Sequence, residues 1–242
     1  MRGSASVPAD SENGSIVSAH VLALRGGDPF VTVLEAADRH RPQHGNECGL
    51  HPAGPNVMAT AAMLVRASDA RRILDLGSGF GYSALWLAHA AGPGSEVVGV
   101  DRFEEHVHEA RRFAAEARLE AEITFVCGEV ASVLDDLDGD FDLVHDDAWF
   151  ASAPDYYEQM VTVLRPGGVL SMPNWFLMED AVSGQPRRDW STLAGDQWAQ
   201  ETIAYAERLA RDPRLHVTWV VSPPLGVGIK KRTRTARGDT AR

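Results

Sequence analysis

Arg72-Ile73-Leu74-Asp75-Leu76-Gly77-Ser78-Gly79-Phe80-Gly81-Tyr82-Ser83 is the stretch that decides the fold. Ile73 to Leu76, apolar but for Asp75, reads as a buried parallel strand. The strand breaks into three glycines at alternating positions, and Ala84-Leu85-Trp86-Leu87-Ala88 continues as a helix. Backbone without Cβ atoms turns sharply and lets a ligand lie directly against it. The first turn of the helix has N–H groups with no intrahelical partner, which suit a carboxylate or a phosphate. A dinucleotide fingerprint asks for G-x-G-x-x-G. Here the third glycine arrives one residue early, and Tyr82 takes the place it would need. Strand, turn and helix in this order argue for a nucleotide-type site rather than a plain chain reversal.

A chain of 242 residues can bury one substantial core, and α/β domains of this size usually stay undivided. A composition of 44% hydrophobic and 24% charged residues is that of a globular protein. The net charge of −11 argues against a broad nucleic-acid-binding face, which needs clustered Lys and Arg. Cys48 and Cys127 are too few for a disulfide framework and fit a reducing cytosol, so a cytoplasmic location is expected. No apolar run reaches the length of a membrane span, and no signal-peptide core precedes the first helix.

Outward from the glycine turn, strands and helices alternate. Residues 1–15 are small and polar and are expected to form a disordered leader. Two short amphipathic helices are expected between Ile16 and Arg41. Arg39 to Pro52 reads as an irregular loop carrying His40, His44 and His51. With Cys48 these could suggest zinc, but their spacing on a Gly/Pro-broken loop is poor for it. Pro55 to Val65 reads as a helix. Strands follow at Glu96 to Val100, Ile123 to Cys127, Phe141 to Asp146 and Val169 to Met172. Helices are expected at Glu104 to Arg118, whose charges read as a solvated face, and at Asp155 to Leu164. Ser183 to Gly195 reads as a loop or insertion. A long helix around Ala199 to Leu209 and two strands, Leu215 to Val221 and Gly226 to Lys231, end the ordered chain. Residues 233–242 form a basic tail. The pattern predicts a parallel sheet covered on both faces.

In an open α/β sheet, ligands sit beyond the strand C-termini. Asp101 ends the second strand, where its carboxylate can accept two hydroxyls of a ribose. Gly128-Glu129 follows the third strand, where an adenine edge would rest. The fourth ends in His145-Asp146-Asp147-Ala148-Trp149-Phe150. No Asn-Pro-Pro-Tyr or Asp-Pro-Pro-Tyr occurs there, which counts against an amino-methylating enzyme acting on DNA. Trp149 reads either as core or as a pocket wall, and Asn174, after the fifth strand, either as a turn residue or as a crevice residue beside Asp147.

Asp75 followed by Gly77-Ser78-Gly79-Phe80-Gly81 resembles the first motif of S-adenosylmethionine (SAM) methyltransferases. The order of elements resembles the small O-methyltransferase family that contains the caffeoyl-CoA and catechol O-methyltransferases. Gly79-Phe80-Gly81-Tyr82-Ser83-Ala84-Leu85-Trp86-Leu87-Ala88 looks like its G-x-x-T-G-Y-S-A-L-x-L-A region. Phe141-Asp142-Leu143-Val144 matches F-D-L-V, and Leu164-Arg165-Pro166-Gly167-Gly168 matches L-x-P-G-G. Pro224-Leu225-Gly226-Val227-Gly228-Ile229 is similar to P-x-G-D-G-L.

The resemblance implies an α/β, Rossmann-like class I methyltransferase fold. Its seven-stranded sheet is mostly parallel, with helices on both faces and the last strand antiparallel. Residues 16–232 would form one domain, with 16–68 giving N-terminal helices and a substrate-side loop and 69–232 the SAM-binding core. A homodimer is implied too. Carried across by position, Asp75, Gly77, Ser78, Gly79 and Ser83 would hold the methionine portion. Asp101 and Arg102 would hold the ribose, Gly128 and Glu129 the adenine, and Asp147 would also reach the cofactor. Trp149, Asn174 and Trp175 would line the acceptor.

Metal-dependent members carry D-A-D-K or D-H-W-K after the fourth strand and D-N after the fifth. Here Phe150 replaces the lysine and Pro173 the second acid, which leaves Asp147 and Asn174 as metal ligands, with Asp146 as a substitute. Mg²⁺ prefers octahedral oxygen coordination with one or two carboxylates. A reaction without the metal is therefore expected.

The function implied is SAM-dependent O-methylation of a small aromatic or polyketide-like hydroxyl compound. Rival readings are a SAM-binding protein without transferase activity and a methyltransferase acting on a macromolecule. With the lysine gone, the expected base is one of His40, His44, His51 and His145, with Asp147 behind them, since a phenol at pKa ~10 needs help at neutral pH.

Overall fold

The structure, a computed structural model, describes residues 20, 23–24, 26–44, 49–149, 153–187, 189–220 and 222–232. The expected leader and tail, Cys48 and Phe150 lie outside them. Seven strands form one sheet: β1 Arg72–Leu76, β2 Glu96–Asp101, β3 Glu122–Cys127, β4 Phe141–Asp146, β5 Leu164–Met172, β6 Leu215–Val220 and β7 Leu225–Lys230. The order is β3-β2-β1-β4-β5-β7-β6. All pairings are parallel except those of β7, which runs antiparallel to both β5 and β6. This is the sheet the resemblance implies.

The helices are α1 Val31–His44, α2 Pro55–Ser68, α3 Tyr82–Ala91, α4 Glu104–Ala117, α5 Val130–Asp136, α6 Tyr157–Val163, α7 Phe176–Ser183, α8 Ser191–Ala194 and α9 Trp198–Arg211. On one face of the sheet, Ile73, Val97, Leu143 and Val169 pack under α1 to α4. On the other, Leu74, Leu76, Val100, Val144, Leu170 and Met172 pack with α5, α6, α7 and α9. Alternate strand residues supply the two cores, because successive side chains point to opposite faces. Among the described residues no helix is long and apolar enough to cross a membrane.

Three expectations change. Arg39 to His44 is not loop but the end of α1. Val33, Ala37 and His40 fall at i, i+4 and i+7 and form one buried stripe, so His40 extends the packing face. Pro42 lies in the last turn of α1, where it offers no backbone N–H to the Asp38 carbonyl. The fifth strand begins earlier than expected, at Leu164, with Phe141 as its partner across the sheet. The segments after β3 and β5 also hold short helices, α5 and α7, that went unassigned. In α7 the buried Asp180 carboxylate accepts the Trp190 indole N–H (2.7 Å) and the Arg187 backbone N–H (3.0 Å). That ties down a stretch that composition alone makes look like an insertion.

Candidate active site

Strand order reverses direction about β1, with β2 on one side and β4 on the other, so the crevice opens beyond their C-termini. The sheet's hydrogen bonding runs on into the loops there. Val100 C=O accepts from Gly77 N–H (2.9 Å) and Ser78 N–H (3.0 Å), and Leu76 C=O accepts from Asp147 N–H (2.9 Å). Gly77 has φ +82, and a Cβ there would fall 2.8 Å from Ala148 N. A side chain is excluded twice, by conformation and by the approach of the β4 loop. At Gly79 (φ +51) a Cβ would meet Leu50 Cδ1 at 2.6 Å, so the segment before α2 closes over the glycine turn. His51, next to Leu50, is exposed.

Asp101 is fixed against this turn. Its Oδ2 accepts the Gly79 N–H (2.9 Å). Its Oδ1 accepts the Phe103 N–H (2.9 Å) and lies 3.1 Å from His106 Nδ1. His106 is a site neighbour that sequence reasoning missed, having counted α4's charged side chains as solvated. Gly128 N–H donates to Asp101 C=O (3.0 Å), which brings Gly128 and the exposed Glu129 to the same end of the crevice. Arg102 is exposed, its guanidinium over the Phe103 ring at 4.7 Å.

Asp75 is fully buried. Its Oδ2 accepts the Ser83 hydroxyl (2.7 Å), and the Ala84 N–H at the start of α3 also favours its charged form. An acid of the chain's own thus sits beside the helix's first donors, which the sequence offered to a ligand. Burial pushes the Asp75 pKa up to about 6, against the Ser83 bond, which favours its charge. Oδ1 of Asp75 has no protein partner. Ser78 is buried and donates its hydroxyl to Asp75 C=O (3.0 Å), bracing the turn.

At the neighbouring strand end, Asp146 is also fully buried. Its Oδ1 accepts the Tyr156 hydroxyl (2.9 Å) and the Ala148 N–H (3.3 Å), whereas Oδ2 has no protein partner. Burial raises its pKa to about 7. Asp147 keeps part of its surface accessible; the protein packed around it, and then the Asp75 charge, hold its pKa well above the carboxylate range. Asn174 donates its side-chain amide to Asp147 Oδ1 at 2.6 Å, so the two residues picked out after β4 and β5 are in contact. Among the described residues, no three His, Cys, Asp or Glu side chains are grouped to hold a metal ion.

The remaining candidates separate. His145 is 0% exposed, its Nδ1 is 3.0 Å from Ser171 Oγ, and burial lowers its pKa to about 4. It lies within the sheet's core, not at the crevice surface. His40 is buried on α1 against Phe80 and His106 and lies 3.8 Å from Glu105. His44 ends α1, and its side chain lies outside the described residues. Trp149 and Trp175, expected as acceptor walls, are each 3% exposed. Their rings pack 5.2 Å apart and against Tyr205, and a Cβ on Gly226 would fall 1.8 Å from Trp175 Nε1. They fill the second core, because large aromatic surfaces are stabilised most where water is fully excluded.

With this geometry, comparison with known proteins gives a consistent answer. A family model described as O-methyltransferase matches residues 53–233. A Mycobacterium tuberculosis protein named as an O-methyltransferase is 30% identical over 209 residues, covering 84% of this chain and 85% of its own. The Bacillus cereus O-methyltransferase, solved with S-adenosylhomocysteine (SAH), shares the fold at TM-score 0.66 and 23% identity, over 83% of this chain and 91% of that one. TomG of Streptomyces achromogenes, an O-methyltransferase involved in tomaymycin synthesis and solved with SAM, does so at TM-score 0.71 and 22% identity, over 93% and 100%. The chain belongs to the O-methyltransferase family.

Proposed function

We propose that this chain transfers a methyl group from SAM to a hydroxyl of a small aromatic or polyketide-like molecule, without a divalent metal. The observation that carries the reading is the acidic end of the crevice. Asp75, Asp146 and Asp147 lie toward the C-terminal ends of the adjacent strands β1 and β4, near enough for their charges to act on one another, and Asp75 Oδ1 and Asp146 Oδ2 have no protein partner. Buried carboxylates with raised pKa values are stabilised by positive charge, and SAM brings an ammonium and a sulfonium. When bound, SAM supplies an electrophilic methyl.

The chain's part is binding, alignment and proton removal. The glycine turn and Asp101 suit an adenosine, and Asp75 with Ser83 suits the amino-acid end. Asp147, oriented by Asn174 and held well above the usual carboxylate range by burial and the Asp75 charge, is the proposed base for the acceptor hydroxyl. A carboxylate more basic than usual takes a hydroxyl proton more readily. His51, exposed beside Leu50, is the rim alternative.

The residues fit a metal poorly. Pro173 offers no side-chain donor, and Asn174 turns its amide N–H toward Asp147. No step is therefore assigned to a metal. The test is SAH and methylated-product formation from SAM with a panel of phenols, catechols and polyketide aromatics, with and without EDTA. Turnover that survives EDTA supports the reading. Turnover abolished by EDTA and restored by Mg²⁺ would overturn its metal-free part. SAM binding with no turnover on any acceptor would favour a non-catalytic SAM-binding protein.

A further inference from the structure

Asp101 is expected to accept two hydroxyls of the ribose, but its hydrogen bonds leave less room than that. A carboxylate has about four lone-pair sites, two on each oxygen. On Oδ1, one faces the Phe103 N–H at 2.9 Å and the other faces His106 Nδ1 at 3.1 Å. On Oδ2, one accepts the Gly79 N–H at 2.9 Å. An ionised carboxylate can only accept, so Nδ1 is the protonated nitrogen of His106. One in-plane site then remains, on Oδ2.

His106 is built into place. It is 2% exposed, on the first turn of α4. Its ring is boxed by Phe103 at 4.9 Å, Phe80 at 5.5 Å and His40 at 5.6 Å between centroids. Those contacts set the ring plane and aim Nδ1 at Asp101. The carboxylate cannot rotate to offer Oδ1 outward without breaking two hydrogen bonds in a largely buried setting.

We infer that His106 is a positioning residue for the cofactor ribose: it occupies Asp101 Oδ1, so that Asp101 grips one of the two ribose hydroxyls through Oδ2 alone. This rests on the reading of the crevice as a SAM site. It assigns His106 a role, and it divides two hydroxyls that a free carboxylate would treat alike.

The experiment measures calorimetric affinities of SAH and of its 2′-deoxy and 3′-deoxy analogues for the wild-type chain, His106→Phe and His106→Asn. Phenylalanine keeps the boxed ring and loses the donor; asparagine keeps a donor near the Nδ1 position and loses the ring. In the wild type one deoxy analogue should bind at least about 10-fold more weakly than SAH and the other within about threefold, the scale of one hydrogen bond to a charged group. His106→Asn should retain that contrast, and His106→Phe should reduce it to threefold or less as the freed carboxylate turns.

Equal losses for both analogues in the wild type would overturn the inference while leaving the cofactor reading intact. So would a contrast retained in His106→Phe or lost in a folded His106→Asn. Absence of SAH binding by the wild-type chain would instead overturn the cofactor reading. If one variant fails to fold, the other still decides between donor and packing.

Discussion

Asn174 reaches Asp147 from a backbone that side chains rarely adopt: its φ is +71, and from there its amide donates to Asp147 Oδ1 at 2.6 Å. A non-glycine residue in the left-handed region costs of order 1 kcal/mol or more and persists where the surroundings over-determine it. Here the return is a fixed orientation for an acid at the mouth of the crevice. Asn174→Gly keeps the backbone and removes the amide. Its stability should match the wild type within about 1 kcal/mol, while turnover falls roughly 10-fold because Asp147 loses its orientation. Unchanged turnover in steady-state assays would mean that the Asn174–Asp147 bond only shapes the loop.

Gly77→Ala places a methyl group 2.8 Å from Ala148 N at a φ of +82. Neighbouring backbone cannot yield as a flexible side-chain tip would. The variant should lose about 2–4 kcal/mol in urea unfolding and bind SAH too weakly to measure, since the displaced segment begins with Asp147. Wild-type stability and affinity together would contradict the close approach of the β1 and β4 loops.

Asp146 gives the chain a pH signature. Its ordinary pKa of 3.8 is raised by burial to about 7 in the fold. Between those values the folded state binds more protons than the unfolded one. Its contribution to stability is therefore complete below about pH 4 and is lost as pH rises through 7. Asp146→Asn keeps an acceptor for Tyr156 and cannot ionise. Relative to the wild type it should gain stability as pH increases from 5 to 8, by about 3 kcal/mol over that range. A difference that stays constant across the range in denaturant titrations would refute the raised pKa.

The base is tested by two variants in parallel. Asp147→Asn should lower turnover by about 10²-fold or more, the usual scale for losing a general base, and His51→Ala should stay within about threefold. If the two results exchange places in assays at saturating SAM, the proton passes to the histidine at the rim.

Much of this was legible in the residues. The change from an apolar strand to alternating glycines and then to an apolar helix marks β1, its turn and α3, because each period belongs to one backbone geometry. β4 was legible to the residue, from Phe141 to Asp146. What escaped lies at a shorter range or across the chain. α5 and α7 are only 7 and 8 residues long, too short to show a clear helical period. Yet Val130, Val133, Leu134 and Leu137 carry the helical spacing, and counting it finds α5. His40 looked like part of a His- and Pro-rich loop, although its spacing from Val33 and Ala37 continues a buried stripe. The burial of Trp149 and Trp175 was not legible. Whether an indole after a strand turns to the crevice or to the core depends on what comes to lie beneath it, here Gly226 from the far end of the chain.

Asp75 also has a consequence for the company this protein keeps in a cell. By accepting the Ser83 hydroxyl, it sets an acid against the start of α3. The first N–H donors of that helix, left open, would attract the phosphates of any abundant nucleotide. ATP and the nicotinamide dinucleotides share the adenosine that the glycine turn and Asp101 suit, and they are polyanions. On the proposed reading of the crevice, its buried carboxylates and a chain of net charge −11 would repel them where a methyl donor would meet its counter-charge. One strand residue, bonded to its own helix, would then discriminate against the commonest competitors without any loop devoted to excluding them.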